Sequence, residues 1–277
     1  MSDRSRTNPT IAVLGLGEAG GAFARDLVQA GATVRGYDPA VAAPEGVVPA
    51  RDEADATAGA DLVLSVNRAS AAEDALRAGL GSAGPQTVWA DLNTASPGAK
   101  RRLAEIAEAH GTAFADVAIM APVPGKGLRV PMLAAGPAAN RVAETLGPLG
   151  AHVEVMAGDP GAAAERKLLR SVFFKGLAAA VYEALTAARA AGCEEWLRGN
   201  IVAELTAADA GTVERLVTGT RRHALRRRDE MAAAARMLDE LGVPPTVAAA
   251  SRDLLDRLCA EQARAAAEPA ADRDADR

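Results

Sequence analysis

The stretch that most constrains this chain is Thr10–Gly20, TIAVLGLGEAG. In it a β-branched apolar run stops abruptly at Gly15-Leu16-Gly17-Glu18-Ala19-Gly20. An amphipathic segment, Ala19–Ala30, leads out of the turn, and a second strand pattern, TVRGYD, ends in Asp38. Strand, glycine turn, helix and strand in that order specify a parallel βαβ unit, since parallel neighbours need a crossover. The glycines divide the work. Gly15 takes the tight turn, Gly17 lets backbone approach a pyrophosphate, and Gly20 lets the helix pack closely on the strand. The helix N-terminus then turns unpaired N–H groups toward phosphate oxygens, so Leu16, Glu18 and Ala19 count with the glycines as dinucleotide contacts.

Asp38 stands roughly twenty residues beyond the turn, where a carboxylate meets the adenosine ribose hydroxyls and repels a 2′-phosphate. Pro39, Ala40 and Val41 follow it, with no arginine or serine among them. NAD is therefore favoured over NADP. Arg35, within the second strand, is the one cation that could blur the preference.

The alternation continues. Strands are expected at Thr10–Leu14, Thr33–Tyr37, Asp61–Val66, Thr87–Asp91, Ala113–Ala118, Met132–Ala135 and His152–Val155, with helices at Ala19–Ala30, Ala69–Gly79 and Ala99–Gly111. This pattern predicts a Rossmann-like, doubly wound parallel sheet over residues 10–160, buried on both faces. From Gly161 the strand signal stops, and helices are expected over Ala162–Ala191, Glu194–Ala208, Val213–Leu241 and Thr246–Ala267. Residues 161–267 are read as an all-α domain joined through the first of these helices. Residues 1–9 are read as a flexible N-terminus and 268–277 as a disordered tail. Alanine fills 68 of 277 positions and aromatics reach 3%, which excludes an all-β sandwich or barrel.

A net charge of −5 provides no basic field for nucleic acid. Cys193 and Cys259 are far apart, with no CxxC and three histidines in all, so neither a disulfide framework nor a metal site is expected. There is no leader-like apolar segment at the start and no apolar run long enough for a membrane, so a cytoplasmic protein is expected.

Residues 161–192 form about thirty residues of helix, roughly 45 Å long, apolar enough to be largely buried. Yet Lys167, Arg170, Ser171, Phe174 and Lys175 recur at i, i+3, i+4, i+7 and i+8, on one face. Such a stripe must meet water, a partner or a polar cleft. Only four of the 31 basic residues are lysine (Lys100, Lys126, Lys167 and Lys175), so a retained lysine marks a place where arginine, which cannot release its proton, will not serve. In a cleft, Lys167 beside Arg170 and an oxidised nicotinamide would shed its proton more readily and serve as acid/base for a carbinol.

With those motifs in view, the chain resembles the β-hydroxyacid dehydrogenase superfamily, which includes 3-hydroxyisobutyrate and 6-phosphogluconate dehydrogenases. Four segments carry the resemblance in order: GLGEAGGAFARDLVQAGATVRGYDP, DLVLSVNRAS, DLNTASPGAKRRLA and GAAAERKLLRS. It implies that Ser65, Val66, Asn67 and Asn93 line the nicotinamide side and that Thr94 and Ser96 touch substrate. It puts the catalytic lysine at Lys167. Arg170, Ser171 and Lys175 would orient a small anionic hydroxy acid or its keto form, and a homodimer with a shared active site is expected.

The departures are specific. Where the family has D-x-P-x-S-G-G, this chain has Asp116-Val117-Ala118-Ile119-Met120-Ala121-Pro122, so Met120 replaces the carboxylate-binding serine. Arg170 and Ser171 replace two asparagines. Together these suggest a branch with a phosphogluconate dehydrogenase-like C-terminal domain and a different substrate. Ser96 followed by Pro97 also reads as a helix N-cap. The loop VPGKGLRVP, with Lys126 and Arg129, reads equally as an anion clamp or as solvated charge.

In RRHALRRRDEM, His223 and five arginines share one expected helix, and His223 and Arg227 are the candidates to meet an anionic substrate. Arg228-Asp229 resembles a family pair that approaches the nicotinamide. The leading expectation is an NAD(P)-dependent dehydrogenase. Imine reduction, against which Lys167 argues, and a non-catalytic dinucleotide-binding protein are the alternatives.

Overall fold

The structure is a computed structural model that describes residues 8–267. The expected N-terminal segment up to residue 7 and the expected tail from residue 268 lie outside the described residues. The chain divides into two compact units, Met1–Arg170 and Ser171–Arg277.

In the first unit the strands are β1 (Thr10–Leu14), β2 (Thr33–Tyr37), β3 (Val48–Pro49), β4 (Leu62–Ser65), β5 (Val88–Asp91), β6 (Ala113–Ile119), β7 (Pro131–Ala135) and β8 (His152–Val155). The helices are α1 (Glu18–Gln29), α2 (Glu53–Thr57), α3 (Ala72–Leu80), α4 (Pro97–Ala109) and α5 (Ala139–Leu146). One eight-stranded sheet runs β3-β2-β1-β4-β5-β6-β7-β8. Strand β1 shows why the apolar runs are continuous rather than alternating. Ile11 and Val13 face one buried cluster with Phe23 and Leu27 of α1, while Ala12 and Leu14 face another with Leu76 and Trp89. Helices cover both faces, so the positions of β1 on either face are apolar.

The sheet is not wholly parallel as expected, because β7 runs antiparallel to β6 with Asp116 opposite Ala135. The reason lies in the connection. Residues 120–130 hold only the short turn Gly127–Arg129, and without a crossover helix the chain can return only beside the strand it left. Three elements add to the expected pattern: β3 and α2, which are too short to leave a strong sequence signal, and α5, whose buried Ala139, Val142 and Leu146 do recur at helical spacing. Helix α2 depends on its cap, since the Asp52 carboxylate accepts from the Asp55 N–H at 2.7 Å.

Helix α6 (Ala162–Ala190) begins in the first unit and continues into the second, which adds α7 (Glu194–Thr206), α8 (Ala210–Arg222), α9 (Ala224–Glu240) and α10 (Thr246–Ala267). Two expectations are corrected here. The segment Val213–Leu241 is two helices, not one, broken at His223. No glycine or proline marks the break. It is held by tertiary bonds, with Gln262 Nε2 donating to the freed Arg221 carbonyl at 2.7 Å and Arg227 Nη1 donating to Thr220 Oγ1 at 2.8 Å. Nor is α6 largely buried within this chain: Val172, Phe173 and Tyr182 are exposed, and its packing inside the second unit centres on Ala187 with Ala235, Leu238, Val243 and Ala248. Glu183 joins α6 to α10 by accepting from the Val247 and Ala248 N–H groups at 2.7 and 2.9 Å.

Candidate active site

The glycine turn sits at the carboxyl end of β1, next to the point where strand order reverses between β1 and β4, the place where open α/β sheets hold ligands. Gly15 has φ of +93°, and a Cβ there would lie 2.7 Å from the Val66 carbonyl oxygen. A Cβ at Gly20 would fall 1.9 Å from the Gly15 carbonyl oxygen, so only glycine lets α1 start this close to β1. At Gly17 a Cβ would meet nothing within 4 Å, which leaves the backbone approachable from outside. Gly17 caps α1 without a side-chain hydrogen bond, and the helix opens with Glu18, Ala19 and Gly20. Unpaired first-turn N–H groups beside an open glycine fit a pyrophosphate.

Asp38 closes the same turn. One carboxylate oxygen accepts from the Leu16 N–H at 2.8 Å, and the other from the Ala40 and Val41 N–H groups at 2.8 and 3.0 Å. Partial burial works against its charge, but the three N–H donors and the nearby Arg68 outweigh that and hold the carboxyl below its ordinary value. A carboxylate has about four acceptor positions, so one remains for a ribose hydroxyl. Arg35, the cation that could have blurred the preference, is engaged elsewhere: it donates to the Ala58 carbonyl and to Asp55 Oδ1, each at 3.2 Å. The positive charge that does reach Asp38 is that of Arg68, which the sequence reading passed over although it directly follows Asn67.

Along the carboxyl edge a buried polar network joins four elements. Lys100 of α4 has no exposed surface, and its Nζ donates to Asp91 Oδ2 at 2.6 Å and to the Asp91 carbonyl at 2.8 Å. It also lies 3.1 Å from Asp116 Oδ1. Asn93 Nδ2 donates to Asp91 Oδ1 at 2.6 Å and to Ser65 Oγ at 3.1 Å. The opposite amide orientation would set a carbonyl against a carboxylate, so the network fixes the flip and leaves Asn93 Oδ1 buried without a hydrogen-bond partner, as are Asn67 Oδ1 and Asp116 Oδ1. The two amide oxygens suit the donor groups of a bound nicotinamide nucleotide. Burial pushes the Asp91 carboxyl above its ordinary value, against the pull of Lys100 and of the hydrogen bonds from Lys100 and Asn93. On the far side, Asp116 Oδ2 accepts from the Gly161 and Ala164 N–H groups at 3.0 and 2.9 Å, capping α6.

Lys167, half-buried, lies one turn beyond Ala164 on α6, and Arg170 is exposed at the end of the first unit. Thr94 is exposed, while Ser96 caps α4 by accepting from the Ala99 N–H at 3.2 Å, with Pro97 in the first turn. Met120 packs with Ala118, Ala135 and Ala163 in an apolar cluster. Ser171 and Lys175 fall in the second unit, as do His223 at the α8–α9 break and Arg227 against Thr220. The arginine cluster is thus split between two helices rather than carried on one, and Arg228 is paired with Asp229 at 2.8 Å. Sequence reading named Asp91, Lys100 and Asp116 singly and missed their union. The scarcity of lysine was the signal that could have found it.

Comparison with known proteins bears on the fold and on the nucleotide-binding unit. Residues 188–258 match a domain of unknown function, DUF1932. Over 122 residues the chain is 35% identical to a Mycobacterium tuberculosis protein named "Probable 3-hydroxyisobutyrate dehydrogenase", a match that spans 42% of each chain. A conserved hypothetical protein from Sinorhizobium meliloti 1021 has a similar structure, with 30% identity, a TM-score of 0.60, and coverage of 91% of this chain and 88% of that one. The Streptomyces aurantiacus imine reductase shares the fold at 19% identity and a TM-score of 0.76, over 90% of this chain and 93% of that one. Residues 10–158, more than half of the chain, match the NAD binding domain of 6-phosphogluconate dehydrogenase, and the chain belongs to that NAD-binding family.

Proposed function

We propose that this chain is an NAD(P)-dependent oxidoreductase that interconverts a small anionic hydroxy acid and its keto form, with Lys167 as general acid/base. A bound nicotinamide would supply the hydride-accepting chemistry at the carbinol carbon. Lys167, acting as base from its unprotonated form, would take the hydroxyl proton in the same direction and return it in reduction, so charge and atoms balance. Asn93 and Asn67 would receive the donors of the nucleotide, Asp38 its ribose, and Thr94 and Ser96 would face substrate. The observation that carries this reading is the Asp116 cap. It ties the start of α6, one turn before Lys167, to the sheet edge that holds the glycine turn. NAD is favoured because the ionised Asp38 repels a 2′-phosphate while Arg35 is held by Asp55, with the charge of Arg68 beside Asp38 acting in the opposite sense.

C=N reduction is the second reading. It draws on Met120, whose apolar packing removes the donor that a carboxylate would need, and on the fold shared with imine reductases. A panel of hydroxy acids with NAD⁺, run beside cyclic imines with NADH and followed by nicotinamide absorbance, separates the two. Lys167→Ala should lower kcat about 10²- to 10⁴-fold with NADH binding retained. Unchanged turnover would remove Lys167 from the reaction, and a parent chain inactive on both panels would favour a non-catalytic dinucleotide-binding protein. A homodimer through the second unit belongs to the same proposal, supported by the exposure of Val172, Tyr182, Trp196 and Val213.

A further inference from the structure

Lys100 lies against the two carboxylates that reach the Asn93 amide and the first turn of α6. Its Nζ donates to Asp91 Oδ2 and to the Asp91 carbonyl, and Asp116 Oδ1 lies 3.1 Å away as an ion pair without hydrogen-bond geometry. A compact ammonium sits between two carboxylates more readily than a planar guanidinium, which suits a lysine here in a chain that otherwise prefers arginine.

Each aspartate gives one carboxylate oxygen to Lys100 and the other to the site. Asp91 Oδ1 holds the Asn93 amide, and Asp116 Oδ2 holds the Gly161 and Ala164 N–H groups at the first turn of α6. Ala164 precedes Lys167 by three residues, about 4.5 Å along the helix axis. A rotation of either carboxylate would release an amide or a helix start. Register opposes such rotation only in part, since Asp91 and Asp116 are neighbours across β5 and β6 and would repel without the ammonium between them.

We propose that Lys100 is a positioning residue of the active site, orienting Asp91 and Asp116 so that the Asn93 amide and the Lys167-bearing turn of α6 are set together. The inference rests on the roles given above to Asn93 and Lys167, but its test does not depend on turnover.

The test uses the full chain with its amines ¹³C-dimethylated, so that the resonances of Lys126, Lys167 and Lys175 can be followed by NMR. Lys167→Ala assigns the Lys167 signal. Two variants are compared with the parent: Lys100→Met, and Lys100→Met combined with Asp91→Asn. The second removes one charge of each sign and keeps an oxygen for the Asn93 amide, so it tests position if the single variant fails to fold. Melting temperature and NADH affinity are measured for each.

In both variants that fold, the Lys167 resonance of the free protein should move while those of Lys126 and Lys175 stay. NADH affinity should fall about three- to tenfold, the coupling expected of residues in one network. A folded paired variant with parental Lys167 resonance and parental NADH affinity would overturn the proposal and leave Lys100 a purely stabilising ion pair. A parental Lys167 signal that ignores added NADH would count against the catalytic reading instead, while the free-protein resonance and the affinity still decide the role of Lys100.

Discussion

The chain has two tryptophans, and they divide it. Trp89, on β5 of the first unit, is 1% exposed, whereas Trp196, on α7 of the second, is 70% exposed. The contrast holds beyond these two residues. In the first unit Phe23, Leu27, Leu64 and Leu76 are fully buried. In the second, several of the most buried positions are alanines (Ala187, Ala188, Ala224, Ala235 and Ala248), while Val172, Tyr182, Val213 and Leu225 lie outside. Burial of apolar area stabilises by about 25 cal/mol per Å², so alanine contacts contribute little each, while the larger side chains leave their area uncovered within this unit. A Rossmann-like sheet with helices on both faces completes its core within one chain. A helical unit built this way leaves apolar area that the second copy proposed above would cover.

The strongest way to break this contrast is to truncate both tryptophans. Trp89→Ala should cost about 3–5 kcal/mol, enough to unfold the first unit near ambient temperature in a denaturant melt. Trp196→Ala should change the stability of a monomer by no more than about 0.5 kcal/mol. An equal loss at the two sites would show that the second unit is as closed as the first. Next in size is Gly20→Ala. The added carbon would meet the Gly15 carbonyl, so both stability, by about 3 kcal/mol, and NADH binding should fall. Wild-type NADH affinity in that variant would remove the glycine turn from the binding site.

Smaller, and specific to the second unit, is Trp196→Lys. If a second copy covers α7, sedimentation should show a dimer for the parent at micromolar concentration and a shift toward monomer for the variant, with the melt of the first unit unchanged. A monomeric parent would sink the proposed dimer.

The smallest effect concerns acid. Hydrogen bonds from Arg189 and Arg198 hold the Glu194 carboxyl down to about 2, from an ordinary value of 4.5. A lowered value means that its stabilisation is complete above the ordinary value and is lost as pH falls from 4.5 toward 2. Glu194→Gln should flatten the acid melt of the second unit across that window, to an extent limited by exposure and screened by salt. The same sign applies to Asp38 in the first unit, whose backbone donors should be released as pH falls below 3.8.

Features set by neighbours along the chain were legible beforehand. The bounds of β1, β2, β8 and α10 follow from local residue patterns between polar or glycine-rich breaks, and the turn at Gly15–Gly20 follows from glycine, since only glycine suits the positive φ at Gly15 and the close approach at Gly20. Ser96 as a cap was likewise readable, since the bond reaches only to Ala99. The proposed site residues were chosen at the same depth: Asp38 and Asn93 stand in local motifs, and Lys167 stands in a stripe with helical spacing.

What the tertiary structure decided are the pairings between distant residues. The break at His223 depends on Gln262 of α10, and the antiparallel β7 on a connection too short for a helix. Arg35 was settled by Asp55, twenty residues away, and Lys100 by the sheet register that brings Asp116 beside Asp91. Periodicity and backbone preference act over a few residues and leave a local record. A buried charge is satisfied by whichever groups the fold delivers to it, and that choice leaves no pattern along the chain.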